Sequence, residues 1–342
     1  MLNELMRKTI QEILYQPKAW TNTIEVFSNR KNEILSYLEN YRDAEVILTG
    51  CGTSYYLPLT AAALYTKFTG KKARGVPASE IMLFPETIFA RDKKYILVPI
   101  SRTGKTPETL AATRHVREVV KGGTLLVTCT DGSDVAKYSD ISIICPQAAE
   151  ETKYMTKSYT SMLLGCQLIT AYMSENRELE EELLKLPLQG ERIIAQFQSS
   201  LEQLANTQNF SLYIYLGHGP LYGIAAESML KIKEMACTPA EAYHGMELMH
   251  GPKYAVDDNT LIIYLLSDSV KSQEIKLLRR IKDWGGNLKI ICDKITPDIS
   301  EITDNVFELK SDLSENARIL LIMLITQLYG YYRALAVGKH IE

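Results

Sequence analysis

Glu45-Val-Ile-Leu-Thr-Gly-Cys-Gly-Thr-Ser54 decides the fold. It opens on a short β-branched, apolar run, Gly50-Cys51-Gly52 turns the chain tightly, and Ser54 to Thr69 resumes at helical spacing, so it reads as strand, turn and helix. The unit recurs at Lys94-Tyr-Ile-Leu-Val-Pro-Ile100 before a helix from Pro107, and at Thr124-Leu-Leu-Val-Thr128 before Asp134-Val-Ala. Strands alternating with helices predict an α/β fold, a parallel sheet covered by helices on both faces.

The same design returns later. Ser211-Leu-Tyr-Ile-Tyr-Leu216 ends in Gly217-His218-Gly219, in register with the first stretch, and a helix follows to Glu234. Thr260 to Leu266 matches the strand before Ser101, and Gly285 to Cys292 matches Gly122 to Cys129. Two tandem repeats are expected: an N-terminal helical arm over 1–41, broken at Gln16-Pro17, a first repeat over 42–173, a charged helical linker over 174–209 and a second repeat over 210–342.

Length and composition agree. At roughly 150 residues per domain, 342 residues suit two domains, and 46% apolar with 23% charged residues excludes wholesale disorder. With 38 basic against 41 acidic residues and no Lys/Arg block, the footprint of a nucleic-acid binder is missing, and small-molecule partners are expected. Six scattered cysteines without a C-x-x-C pair argue against a zinc ribbon or thioredoxin-like site and for buried free thiols. Met1 to Lys8 lacks the apolar core of a secretory signal, so a cytoplasmic protein is expected. Ile319 to Val337 is apolar enough to test as a membrane span, but Thr326, Gln327 and Arg333 inside it favour a buried helix and no membrane partner.

Chemistry concentrates in two places. The strand at Ile100 runs into Ser101-Arg-Thr-Gly-Lys-Thr-Pro-Glu108, a hydroxyl-rich turn at a helix start. Backbone N–H groups there carry partial positive charge, and Ser/Thr hydroxyls donate to phosphate oxygens. The matching turn of the second repeat holds Asp268, whose carboxylate would repel a phosphate, so one phosphate pocket is expected. Two imitations fail: Gly104-Lys105-Thr106 lacks the upstream glycine of a P-loop, where Pro99 stands, and Gly50-x-Gly52 has Tyr55 at the third glycine position of the dinucleotide fingerprint.

The second place is the helix after Gly219. Glu227, Lys231 and Glu234 fall at i, i+4 and i+7 on one face, either a solvated charged stripe or an acid/base row. A dense run follows, with Tyr243, His244, Glu247 and His250-Gly-Pro252, the last a rigid turn presenting one imidazole. The spacing of His244, Glu247 and His250 matches no standard zinc motif, so neither a metal nor another cofactor is expected.

Gly50-Cys-Gly-Thr-Ser54, Ser101 to Thr106, Met155-Thr-Lys-Ser-Tyr159, Leu230-Lys-Ile-Lys-Glu234 and Glu241-Ala-Tyr…Glu247-Leu-Met-His-Gly-Pro252 occur in the order and spacing of the tandem sugar isomerase (SIS) domain family, which the sequence resembles from about Thr9 to Gly338. Within that family it resembles the isomerase half of glucosamine-6-phosphate synthase and its stand-alone relatives: aminosugar-phosphate deaminases, tagatose-phosphate isomerase-like proteins and fructosamine deglycases. The resemblance implies a sugar-phosphate pocket of Thr53, Ser54, Ser101, Arg102, Thr103 and Thr106, with Arg102 where the synthase has glutamine. Gly52, Glu150, Lys153 and Thr156 match substrate-lining positions, with Met155 in place of a serine. Glu234 matches the base that shuttles a proton between C1 and C2, Lys231 and Glu227 its helical neighbours, and His250 the ring-opening acid/base. The resemblance also implies a homodimer with the histidine supplied across it.

Relatives finish with a Pro-x-x-Leu-x-Lys-x-Val tail whose lysine can reach the sugar carbonyl. This sequence stops at Gly338-Lys339-His340-Ile341-Glu342, and Lys339 is not at the motif position. With no glutaminase stretch before the repeats, synthesis from glutamine is not expected. The expected activity is isomerisation and deamination of a hexosamine 6-phosphate such as glucosamine 6-phosphate. The alternatives are a fructosamine-6-phosphate deglycase, which needs a roomier pocket, and a non-catalytic sugar-phosphate sensor, which would not need Glu234 and His250.

Overall fold

The computed structural model describes residues 4–338; Lys339, singled out above, lies outside the described residues. The described residues form two compact units, one of residues 15–187 and one joining the N-terminal residues up to Leu14 to the stretch from Leu188 onward. Helix α1 (Glu4–Leu14) belongs to the latter. The N-terminal arm and the linker, each read from sequence as one segment, are thus divided between the units.

In the unit of residues 15–187, α2 (Gln16–Asn29) and α3 (Lys31–Glu39) precede β1 (Glu45–Gly50), α4 (Thr53–Thr69), β2 (Ala73–Pro77) and the short helices α5 (Ala78–Leu83) and α6 (Pro85–Ile88). Then come β3 (Tyr95–Ser101), α7 (Pro107–His115), β4 (Gly123–Thr128), β5 (Ile141–Ile144), α8 (Lys157–Met173) and α9 (Arg177–Leu184). The strands form one parallel sheet in the order β2-β1-β3-β4-β5. Successive side chains of a strand point to opposite faces, so Ile47 and Leu97 join Ala112 and Val116 on one side. Val46, Leu48 and Val98 line a small cavity on the other with Ala61 and Ile169. Both faces are covered, as the continuous apolar strands require.

The other unit continues through α10 (Leu186–Thr207), whose first residues lie before the boundary, then β6 (Leu212–Gly217), α11 (Leu221–Ala236), β7 (Ala240–His244) and β8 (Thr260–Leu265). It closes with α12 (Lys271–Lys282), β9 (Asn287–Cys292), α13 (Pro297–Ser300), β10 (Val306–Glu308) and α14 (Ile319–Val337). Its parallel sheet, β7-β6-β8-β9-β10, repeats the first strand for strand. The repeat read from β1, β3 and β4 is therefore a repeat of whole sheets. Strands β2, β5, β7 and β10 were not read from sequence. All four are sheet edges, short and half-covered, so they carry little of the apolar signal that marks a central strand. The turn at Asp134-Val-Ala is one turn of 3-10 helix, Ala136–Tyr138.

The apolar helix α14 is buried along nearly its whole length, packed on α11 and α1. Its polar residues are partnered inside the unit: Thr326 accepts from Ser228 Oγ at 2.8 Å, and the Arg333 guanidinium donates to the carbonyls of Ala205 and Gln208 at 2.9 and 3.0 Å. Cys129, Cys145, Cys166 and Cys292 are buried free thiols, whereas Cys51 is half-buried and Cys237 exposed.

Helix α2 crosses α8 at Gly165, where an added Cβ would stand 2.3 Å from the buried Phe27 ring. Gly165→Ala gains about 1 kcal/mol of helix propensity, but overpacking a closed core costs about 1–3 kcal/mol. The clash with a rigid ring decides the sign, so Gly165→Ala lowers the urea midpoint. An unchanged or raised midpoint would show that α2 and α8 do not meet there.

Candidate active site

In each sheet the crossovers leave the two central strands in opposite directions, and the loops at their carboxyl ends diverge there, the place where open α/β sheets bind ligands. In the first repeat these loops are Gly50–Ser54, after β1, and Ser101–Thr106, after β3. Gly52 takes φ +55° to start α4, a conformation that favours glycine. Ser101 Oγ accepts from Gly104 N at 3.1 Å and lies 3.4 Å from Thr106 Oγ1, while Thr103 Oγ1 accepts from Lys105 N at 3.3 Å. A hydroxyl oxygen that accepts from the backbone keeps its own hydrogen to donate, the disposition an incoming oxyanion needs. Thr53 and Ser54 are buried beside this turn, and Ser54 Oγ contacts Met155 Sδ at 3.7 Å.

Arg102 is held by the loop that precedes α8. Its guanidinium donates to Thr152 O at 2.9 Å and Glu150 Oε2 at 3.4 Å. The Glu150 side chain is fully buried and accepts from the Thr156 hydroxyl at 2.8 Å and the Ser158 hydroxyl at 2.5 Å at the start of α8. Glu150 and Thr156 thus anchor the loop that carries exposed Lys153. Burial raises the pKa of the Cys51 thiol, so it stays protonated.

The matching turn of the second repeat explains the first. Ser267 Oγ accepts from Ser269 N at 3.2 Å, as Ser101 does from Gly104, and passes its own hydrogen to Glu315 Oε2 at 2.7 Å. The same carboxylate also accepts from the backbone N–H groups of Asp268 and Ser269 and from the Ser269 hydroxyl. This turn does bind an oxyanion, and the chain supplies it. Asp268, read from sequence as the residue that repels phosphate, is instead paired to Arg318 at 2.5 Å.

Helix α11 runs from the carboxyl end of β6 with Glu227 and Lys231 fully buried and Glu234 reaching solvent. The Lys231 ammonium lies 3.0 Å from Glu227 and also touches Glu234. Burial alone would lower the lysine's pKa. The two carboxylates outweigh it and hold the group above its ordinary range, so it remains charged. Glu234 lies at the accessible end of the row. The row is not a solvated stripe.

His250 follows the 3-10 turn Gly245–Met249 and is exposed, opening on a cavity of about 420 Å³ whose lining includes Lys253, Lys276, Arg280, Met246 and Leu277. Among the described residues no acidic side chain lines it. His244 stacks on Tyr222 at 3.8 Å, and burial followed by the nearby His218 lowers its pKa. Among the described residues no group of three His, Cys, Asp or Glu could hold a metal ion.

The SIS domain matches residues 41–172 and 211–330, one stretch in each sheet-bearing repeat. The chain belongs to the SIS family. The glutamine–fructose-6-phosphate aminotransferase (isomerizing) of Haemophilus influenzae is 28% identical over 301 residues, covering 83% of this chain and 49% of that protein. This SIS chain spans about half the length of the curated relatives it matches. The glucosamine-6-phosphate deaminase of Thermotoga maritima superposes with a TM-score of 0.72 at 25% identity, over 97% of this chain and 95% of that one. The tagatose-6-phosphate ketose/aldose isomerase of Escherichia coli shares the fold, with a TM-score of 0.88 at 22% identity over 96% and 93%.

Sequence reasoning on this SIS chain missed Glu315, the basic cavity beside His250, and a contact between His218 and Glu274. Only His218 had a signal, its place in register with Cys51.

Two measurements test the site. Replacing Ser101 and Thr106 with alanine weakens calorimetric binding of glucosamine 6-phosphate by about 1–3 kcal/mol, the cost of lost hydrogen bonds to a charged group; unchanged affinity would place the phosphate elsewhere. Lys231→Met leaves Glu227 buried without its counter-charge and destabilises by about 3–5 kcal/mol in urea, whereas Lys231→Met with Glu227→Gln recovers most of the loss. Equal losses in both would mean that the row contributes packing and no charge pairing.

Proposed function

We propose that this SIS chain isomerises and deaminates a hexosamine 6-phosphate, with glucosamine 6-phosphate as the representative substrate, as a cytoplasmic homodimer. The observation that carries the reading is the buried Glu227–Lys231–Glu234 row with one carboxylate open to solvent. A sensor would gain nothing from burying a lysine between two glutamates, which costs desolvation of three charges.

In this reading the hydroxyls of Ser101, Thr103 and Thr106, with Thr53 and Ser54 beside them, hold the phosphate. His250 moves the proton that opens the pyranose ring, a step suited to a group that donates and accepts near neutral pH. Glu234 takes the proton from C2 of the open aldehyde while O1 gains one, giving an enolamine, and returns its proton to C1 as the amine nitrogen gives one up. One carboxylate on a rigid helix serves both atoms because the proton moves along one face. The resulting 2-imine takes up one water and releases ammonia, leaving the ketose phosphate. Lys231 keeps the Glu234 carboxylate in place, and Glu227 shares the ammonium's charge.

The basic cavity beside His250 favours a second reading, a fructosamine-6-phosphate deglycase. That reaction uses the same proton shuttle and needs room for an amine substituent, and a cavity with Lys276 and Arg280 on its wall suits a substituent that bears a carboxylate.

Assays of ammonia or amine release from glucosamine 6-phosphate and fructosamine 6-phosphates separate the two. With the preferred substrate, Glu234→Gln cuts turnover on the order of a hundredfold or more and leaves KM nearly unchanged, since shape is kept and basicity lost. Near-normal turnover in that variant would make the row structural.

A further inference from the structure

His218 stands in the loop after β6, in register with Cys51 of the first repeat, and the proposed chemistry does not use it. Its Nδ1 lies 2.7 Å from Oε1 of Glu274, a fully buried carboxyl group on α12. Its Nε2 lies 3.2 Å from the backbone nitrogen of Met246. A backbone N–H can only donate, so Nε2 must present a lone pair. A neutral imidazole carries one N–H, so the hydrogen sits on Nδ1 and is donated to Glu274. The tautomer follows from the two partners. Oε2 of Glu274 accepts from Ser267 N at 2.7 Å, which ties the carboxyl group to the turn after β8, and the Tyr264 hydroxyl lies 3.4 Å from Nδ1.

A separate observation puts the ring hard against the same segment. A Cβ added to Gly245 would stand 2.6 Å from His218 Cε1 and 2.7 Å from the Tyr264 hydroxyl. The turn Gly245–Met249 can lie where it does only because residue 245 has no side chain, and one turn of 3-10 helix later comes His250. That imidazole is exposed, although Leu248 of the same turn is buried in the core and Met249 packs against it.

We propose that His218 is a positioning residue: as its Nδ1–H tautomer it links the buried Glu274 to the backbone of Met246 and so sets the place of the His250 imidazole. The proposal rests on the reading of His250 as the ring-opening acid/base. Loss of the link slows ring opening and leaves phosphate binding and proton transfer by Glu234 alone.

Two variants test it. His218→Phe keeps a ring and removes both bonds. Glu274→Gln keeps shape, but the amide must turn its NH2 either to Ser267 N–H, breaking that bond, or to Nδ1, which forces the histidine hydrogen onto Nε2 against Met246 N–H. The unmodified protein should show nitrogen NMR signals for an unprotonated Nε2 and a slowly exchanging Met246 amide. Each variant should raise the Met246 exchange rate at least tenfold. It should also lower kcat about tenfold on the cyclic sugar phosphate at constant KM, and spare an acyclic analogue. A protonated Nε2 in the unmodified protein, Met246 exchange unchanged in both variants, or equal loss on the cyclic and acyclic substrates would overturn the proposal. If His250→Ala has normal turnover, the catalytic reading of His250 fails by itself, while the NMR and exchange measurements still decide whether the tether exists.

Discussion

The turn after the middle strand of each sheet gathers hydroxyls and backbone N–H groups at the carboxyl end of a parallel sheet, where an acceptor can meet them. The two repeats answer them differently. In the second, Glu315 lies across Ser267, Asp268 and Ser269 and closes the turn with the chain's own carboxylate. In the first, the hydroxyls of Ser101 and Thr103 take the backbone N–H groups and keep their own hydrogens to donate. One constraint, met by a carboxylate in one case and by hydroxyls in the other, separates a closed turn from one suited to a phosphate.

The Glu227–Lys231–Glu234 row depends on burial instead. Helix α14 packs on α11, with Gly330 facing Lys231 across the contact. With α14 over it, Lys231 has no route to water, and its charge is held by Glu227 and Glu234. Arg333 and Thr326, which make α14 a poor membrane span on paper, find partners on α10 and α11. The apolar helix, the buried lysine and the exposed end of Glu234 are thus one packing solution.

Much of this was legible in the chain itself. The apolar runs at 45–49, 94–100, 124–128, 211–216 and 260–266 carry burial on both faces in their own composition, so strand and layer follow from residue type. The recurrence of Gly-x-Gly after a strand marked the repeat, and the spacing of Glu227, Lys231 and Glu234 placed three charges on one helix face whatever surrounds them. The edge strands were not legible: Ala73–Pro77 and Ala240–His244 pair because a neighbouring strand offers its edge, not because their residues demand it.

What the tertiary structure decided is the surroundings of each polar group, since whether a charge is solvated, paired or buried depends on residues far away in sequence. It turned Arg102 toward Thr152 and Glu150, and buried Glu150 as the anchor of α8. It brought Glu315 to a turn nearly fifty residues upstream, and it joined His218 to Glu274 and Met246. Residue order determined which strands and helices form and which charges share a face, because those are local matters of periodicity and turn chemistry. The partners of those charges were settled only when the sheets closed, because a hydrogen bond needs atoms brought within about 3 Å, and no spacing along the chain specifies that for groups on different elements.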